Sequence, residues 1–144
     1  MDAFRIAEDL RIAQPEALTL LAGHPLRFRY RDRDTDLEAE WPVISVDVRG
    51  EVSAVHFNTR SAAPLVLDPA LVEPYYDAYR TFGRMLAAAE YQIRFRLEPG
   101  DLFIVDNLRV LHGRTGYSEA GERHLQGCYA DRDGLRSRLA VLSR

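Results

Sequence analysis

Between Leu26 and Arg31 apolar residues alternate with arginines without a break: Leu26, Phe28 and Tyr30 against Arg27, Arg29 and Arg31. Side chains of an extended strand point to opposite faces in turn, so this order fits a strand with one buried face and one wet face, and it does not fit a helix. The same period returns at Tyr91, Ile93, Phe95 and Leu97 against Gln92, Arg94, Arg96 and Glu98, and Pro99-Gly100 ends it. Residues 43–48 and 52–57, joined through Arg49-Gly50, read as a hairpin with a tight turn. Leu102-Phe103-Ile104-Val105 is an apolar run of strand length, expected to be buried on both faces. Val110-Leu111-His112 continues beyond Asp106-Asn107, and residues 123–130 return as a further strand. The expected fold class is mainly β with flanking helices.

The helices are legible by their own period. Phe4, Ile6, Ala7 and Leu10 recur at helical spacing, Gln14-Pro15 interrupts them, and Ala17, Leu18, Leu20 and Leu21 form a second short run. Asp68-Pro69 pairs an N-cap with proline at the first helical position, so the longest helix should start there. Its stripe of Val72, Tyr75, Tyr76, Tyr79, Phe82 and Leu86 is wide enough to bury a face against a sheet. Leu135, Leu139 and Leu142 predict a short amphipathic helix at the end. The alternating charges from Arg31 to Asp36 read as a solvated loop, and with no internal repeat the 144 residues are taken as a single domain, 1–144.

Composition closes off several functions. With 47% hydrophobic residues and a net charge of −3, burial can offset chain entropy, which excludes intrinsic disorder. No window approaches about 18 uninterrupted apolar residues, so no membrane span is expected. The opening Met1-Asp2-Ala3-Phe4-Arg5 has no apolar signal region, making the cytoplasm the expected location. The small negative charge disfavours nucleic acid as a partner. A single cysteine, Cys128, excludes an internal disulfide framework and a Cys-rich zinc site.

Metal chemistry is therefore limited to His24, His56, His112 and His124 with carboxylate or amide ligands. His112 is the most informative, because it ends an expected strand and a loop brings Arg123 back eleven residues later. Alternation puts Arg123, Leu125, Gly127 and Tyr129 on one face, where small Gly127 leaves room between a cation and an aromatic ring. Spacing alone leaves two readings open, a ligand site or an ordinary sheet.

The stretch from Pro99-Gly100-Asp101 through Asp106-Asn107-Leu108-Arg109-Val110-Leu111-His112-Gly113-Arg114, followed by Arg123-His124-Leu125-Gln126-Gly127-Cys128-Tyr129-Ala130-Asp131, closely resembles the γ-butyrobetaine hydroxylase and trimethyllysine hydroxylase family. These are TauD-type Fe(II)- and 2-oxoglutarate-dependent dioxygenases. The resemblance extends from Asp2-Ala3-Phe4 through Arg27-Phe28-Arg29-Tyr30-Arg31 and His56-Phe57-Asn58 to Ser137-Arg138-Leu139, and is most specific between Gly100 and Arg123. It implies the C-terminal part of a double-stranded β-helix, a jelly roll whose two sheets hold iron between them. It also implies a role for each matching position. His112 resembles the distal histidine of a two-His-one-carboxylate triad. Arg123 resembles the arginine gripping the distal carboxylate of 2-oxoglutarate, a task suited to a planar, permanently charged fork. Asn58 matches a substrate-contacting asparagine, and Tyr129 an aromatic beside a trimethylammonium group. The implied reaction is hydroxylation of a small trimethylammonium carboxylate such as γ-butyrobetaine, the first step of reading this chain as part of carnitine biosynthesis.

One departure qualifies the match. The family's first two iron ligands form a His-x-Asp motif, and no His-x-Asp or His-x-Glu occurs in these 144 residues. The expectation is a C-terminal portion that is inactive alone, with a non-catalytic remnant or regulatory binding module as the alternative. A self-sufficient arrangement would need His56-Phe57-Asn58, then His112 after 53 residues, then Arg123 after ten more. Neutral Asn58 is a poor substitute for a carboxylate in that arrangement. A jelly roll without its early strands would expose sheet edges and apolar interior, which predicts a homo-oligomer or a need for the segment that completes the site.

Overall fold

The computed structural model describes residues 1–116 and 124–144. They fall into two compact units, Met1–Gly113 and Arg114–Arg144. In the first unit, α1 (Ala3–Ala13) is capped by the Asp2 carboxylate, which accepts from the Phe4 amide, and α2 (Pro15–Gly23) starts on its proline. Strand β1 (Leu26–Arg31) pairs antiparallel with β2 (Asp36–Trp41), and β3 (Ile44–Val46) pairs antiparallel with β4 (Val52–Val55). Helix α3 (Pro69–Ala87) follows the Asp68 cap and ends before a single 3₁₀ turn, Ala89–Tyr91.

The core is chiefly helical. Tyr75, Ala78, Phe82 and Leu86 of α3 are buried together with Ile6, Ala7 and Leu10 of α1 and Leu18 and Leu21 of α2. Val43, Ile44 and Val55 join them from the second hairpin. Phe57 stacks on Tyr79 at 4.7 Å between centroids and meets Phe82 edge-on at 5.7 Å. Gly83 permits this approach, since a Cβ there would lie 3.3 Å from the Phe57 ring. Tyr75 donates to the His24 carbonyl, and burial pushes the Tyr75 and Tyr79 phenols up to about 12. The aromatic stripe of α3 is thus buried as expected, but its main partners are α1 and α2 rather than a sheet.

The first hairpin has two unlike faces. Register pairs Arg27 with Glu40, Arg29 with Glu38 and Arg31 with Asp36 on one side, and Leu26 with Trp41, Phe28 with Ala39 and Tyr30 with Leu37 on the other. Arg29 donates to both oxygens of Asp36 at 2.9 and 2.7 Å. A turn in which Asp32 N donates to the Thr35 carbonyl closes the hairpin, so only part of the expected 31–36 loop is loop. Strand β2 itself was not anticipated from the sequence.

Several expected strands are corrected by the structure. Residues 92–98 and 102–105 form no ladder, and Leu102 and Ile104 are 82% and 84% exposed instead of buried on both faces. Val110 makes a single antiparallel bridge to Asp2. The described part of the returning segment, residues 124–130, is irregular and exposed. The physical reason is common to all: a strand is stabilised by its neighbours, and no described residues pair with these segments along their length. The described residues therefore form four helices and two separate two-stranded sheets, with no closed barrel among them. In the second unit, α4 (Arg132–Leu142) is capped by Asp131, which accepts from Asp133 and Gly134, and its apolar stripe is exposed.

Phe82→Ala should destabilise the chain by about 3–5 kcal/mol, the cost of emptying a fully buried aromatic site. Leu102→Ala, at an exposed position, should shift stability by less than about 0.5 kcal/mol. Urea unfolding of the two variants followed by circular dichroism checks the contrast, and equal losses would contradict this assignment of the core.

Candidate functional site

The segment leading to His112 is fixed by turns and by two separate backbone pairings. Asp106 folds a tight turn, its carbonyl accepting from Arg109 and Val110 and its carboxylate from the Leu108 amide. The Val55 amide of β4 then donates to the Leu108 carbonyl at 2.8 Å. On the other side the Ala3 amide donates to the Arg109 carbonyl at 2.9 Å, and the Leu111 amide to the Met1 carbonyl at 3.1 Å. His112 is the next residue, and its side chain is exposed.

An ion pair reinforces this pairing. Arg109 Nε and Nη2 donate to the two carboxylate oxygens of Asp2 at 3.1 and 2.6 Å, and its guanidinium lies 5.4 Å from the Phe4 ring centroid. The hydrogen bonds from Arg109 hold the Asp2 carboxyl below the ordinary aspartate range against the opposing effect of burial. Asp2 therefore caps α1 and anchors the residues before His112 at once. Sequence reading missed this pair, whose members are 107 positions apart and carry no local signal.

The other candidates are placed as follows. Asn58 is exposed, and its side-chain oxygen accepts from the Arg60 amide at 2.8 Å in a local turn. His56 is half-buried, stacked on Trp41 at 5.3 Å, and burial lowers its pKa. Tyr129 belongs to the second unit and is 95% exposed, with its ring face accessible. Arg123 lies outside the described residues. His112 and Asn58 thus lie in the first unit and Tyr129 in the second. A shallow cleft of about 290 Å³ lined by Leu26, Ala62, Pro64 and the Tyr75, Tyr76 and Tyr79 side chains contains none of them.

Among the described residues no three His, Cys, Asp or Glu side chains come together to hold a metal ion. His112 can offer one imidazole, but an iron centre needs several convergent ligands, so these residues do not by themselves fit one. No described helix is long and apolar enough to cross a membrane.

Residues 1–129 match the family described as taurine catabolism dioxygenase TauD, TfdA family. The chain belongs to this family of dioxygenases, as its motifs around His112 suggested. It is 44% identical over its whole length to the γ-butyrobetaine dioxygenase of Pseudomonas sp. strain AK-1, covering 38% of that protein. It is 31% identical over 99% of its length to the human γ-butyrobetaine dioxygenase, again covering 38%. The mitochondrial trimethyllysine dioxygenase of Bos taurus is 30% identical over 99% of the chain, which spans 35% of it. The chain therefore spans little more than a third of these relatives.

The sign of the Asp2 shift gives a pH prediction. Because the folded pKa is depressed, the stabilisation is fully present above the unfolded value of about 4 and is lost as pH falls through the folded value. Asp2→Asn keeps a capping side chain but loses the charge. It should lower stability at pH 7, with the difference from the parent chain shrinking below about pH 4. Urea unfolding across pH 7 to 2.5 checks this, and a difference independent of pH would exclude the ion pair as its cause.

Proposed function

We propose that this chain carries part of the active site of an Fe(II)- and 2-oxoglutarate-dependent hydroxylase acting on a small trimethylammonium carboxylate. The observation that carries the reading is 44% identity, across the entire chain, to a γ-butyrobetaine dioxygenase. In this reading the family's jelly-roll fold is reached by the larger protein, and His112 contributes one neutral imidazole to the metal site. Arg123 pairs with the distal carboxylate of 2-oxoglutarate through two parallel N–H donors. Tyr129 offers a ring face to the substrate's quaternary cation, and Asn58 an amide to its polar end. The lack of a metal-holding group among the described residues favours a second reading, a non-catalytic module that retains the anion-binding arginine.

A chimera separates the two readings. The matching region of the Pseudomonas γ-butyrobetaine dioxygenase is replaced by this chain, and γ-butyrobetaine-dependent release of succinate from 2-oxoglutarate is measured. The hydroxylase reading expects turnover that His112→Ala abolishes. Arg123→Met should raise the KM for 2-oxoglutarate by roughly 10- to 100-fold, the scale of losing a charge-assisted pair. A folded chimera without turnover would overturn the hydroxylase reading and leave the non-catalytic one.

A further inference from the structure

We propose that Phe57 is a positioning residue for Asn58, and that the ring of Tyr79 on α3, by gripping Phe57, sets how tightly the site takes its substrate. This role rests on the proposed function and deepens it. Asn58 is there the amide that meets the substrate's polar end, yet it is an exposed side chain three residues beyond the end of β4. Something other than the strand ladder has to hold it in place.

Each of the three residues that follow β4 is gripped in its own way. At His56 the backbone amide donates to the Val43 carbonyl at 2.8 Å, and the imidazole stacks on Trp41 of β2 with 5.3 Å between centroids. At Phe57 the ring belongs to the helical layer, stacked on Tyr79 at 4.7 Å and edge-on to Phe82 at 5.7 Å. At Asn58 the side-chain oxygen accepts from the Arg60 amide at 2.8 Å. Consecutive side chains are therefore fastened to two different elements, β2 and α3, and the backbone that enters Asn58 keeps little freedom to rotate.

Of these contacts, that of Phe57 is the one that reaches the core. Phe82 is fully buried and Tyr79 packs against the core cluster, whereas Trp41 is 52% exposed. Ring pairs are directional, so the stack fixes the angle of Phe57 as well as its burial. A leucine at either position would fill apolar space without supplying a ring face. The Tyr79 hydroxyl has no part in the stack: it is buried with no hydrogen-bond partner among the described residues. Tyr79→Phe therefore keeps the ring and removes an unsatisfied group, whereas Tyr79→Leu loses the ring. A loop ordered during folding does not have to be ordered again when a ligand binds. Loosening Phe57 should accordingly weaken the hold on the substrate that Asn58 meets, and not the hold on 2-oxoglutarate, whose proposed partner is Arg123.

Two readouts test this. In the chimera, Phe57→Leu and Tyr79→Leu should each raise the KM for γ-butyrobetaine roughly 5- to 30-fold, the scale of ordering one residue at binding. The kcat and the KM for 2-oxoglutarate should change less than about twofold, and Tyr79→Phe should match the parent in all three constants. Parallel losses in kcat and in both KM values would overturn the proposal, as would an unchanged KM for γ-butyrobetaine. The second readout needs no turnover: hydrogen exchange at the Arg60 amide, followed by NMR on the full chain. That amide should exchange at least about fivefold faster in the two leucine variants than in the parent or in Tyr79→Phe. Equal rates in all four proteins would overturn the proposal, and so would an Arg60 amide that exchanges at the unfolded rate in the parent chain. Should Phe57→Leu lose its helical circular dichroism, the pair at position 79 still decides. The expected exchange pattern beside an inactive chimera would sink the hydroxylase reading alone, and an active chimera with no change in KM would sink the positioning role alone.

Discussion

Burial of one side of α3 is the constraint on which the first unit depends. Tyr75 and Phe82 are fully buried, and the helices that cover them, α1 and α2, are too short to persist in isolation. Each short helix is therefore stabilised by the aromatic surface it covers. Phe57 extends the same layer, lying against Tyr79, Phe82 and the bare backbone of Gly83. Through Phe57 the end of the second hairpin is tied to the helices, and through Val55 it is tied to Leu108. The path from the core to His112 is thus short in space although long in sequence.

Asp2 shows how such a path is secured with few residues. Its carboxylate caps α1 and accepts two nitrogens of Arg109, while its backbone stands opposite Val110 in a bridge. The exposed position of the pair limits its direct contribution through solvent screening. Its consequence is geometric: it fixes the backbone three residues upstream of the candidate ligand against a helix that is itself anchored in the core. An imidazole on a mobile loop would give up binding energy to order itself, whereas one held by this pairing has already met part of that cost in folding.

What could be read in the sequence divides along the range of the interactions. Asp68-Pro69 is a local signal, and α3 begins where it says. The 43–57 hairpin also forms, with its turn at Gly50 in the left-handed region at φ +81°. Strand β2 was illegible because Asp36, Glu38 and Glu40 are weak strand formers whose reward is the opposing arginine row of β1. The stripe of α3 announced burial but not against what, since a helix face fits helices or a sheet equally. For the candidate site, the motif around His112 identified the family, and family membership is supported over residues 1–129. The roles of Asn58, Arg123 and Tyr129 rest on the resemblance alone, since Arg123 lies outside the described residues and Tyr129 belongs to the second unit.

The segment from Tyr91 to Glu98 makes the division sharp. Its alternation is as regular as that of Leu26–Arg31, yet one stretch is a strand and the other is not. The difference lies outside both sequences. Leu26–Arg31 has β2 along one edge and hydrogen bonds to Ser61 and Ala63 on the other, so its amides are satisfied from both sides. Among the described residues, nothing pairs with 93–97 along either edge. Alternation specifies which side chains a strand would bury once it is paired, and the ladder decides whether there is a strand at all.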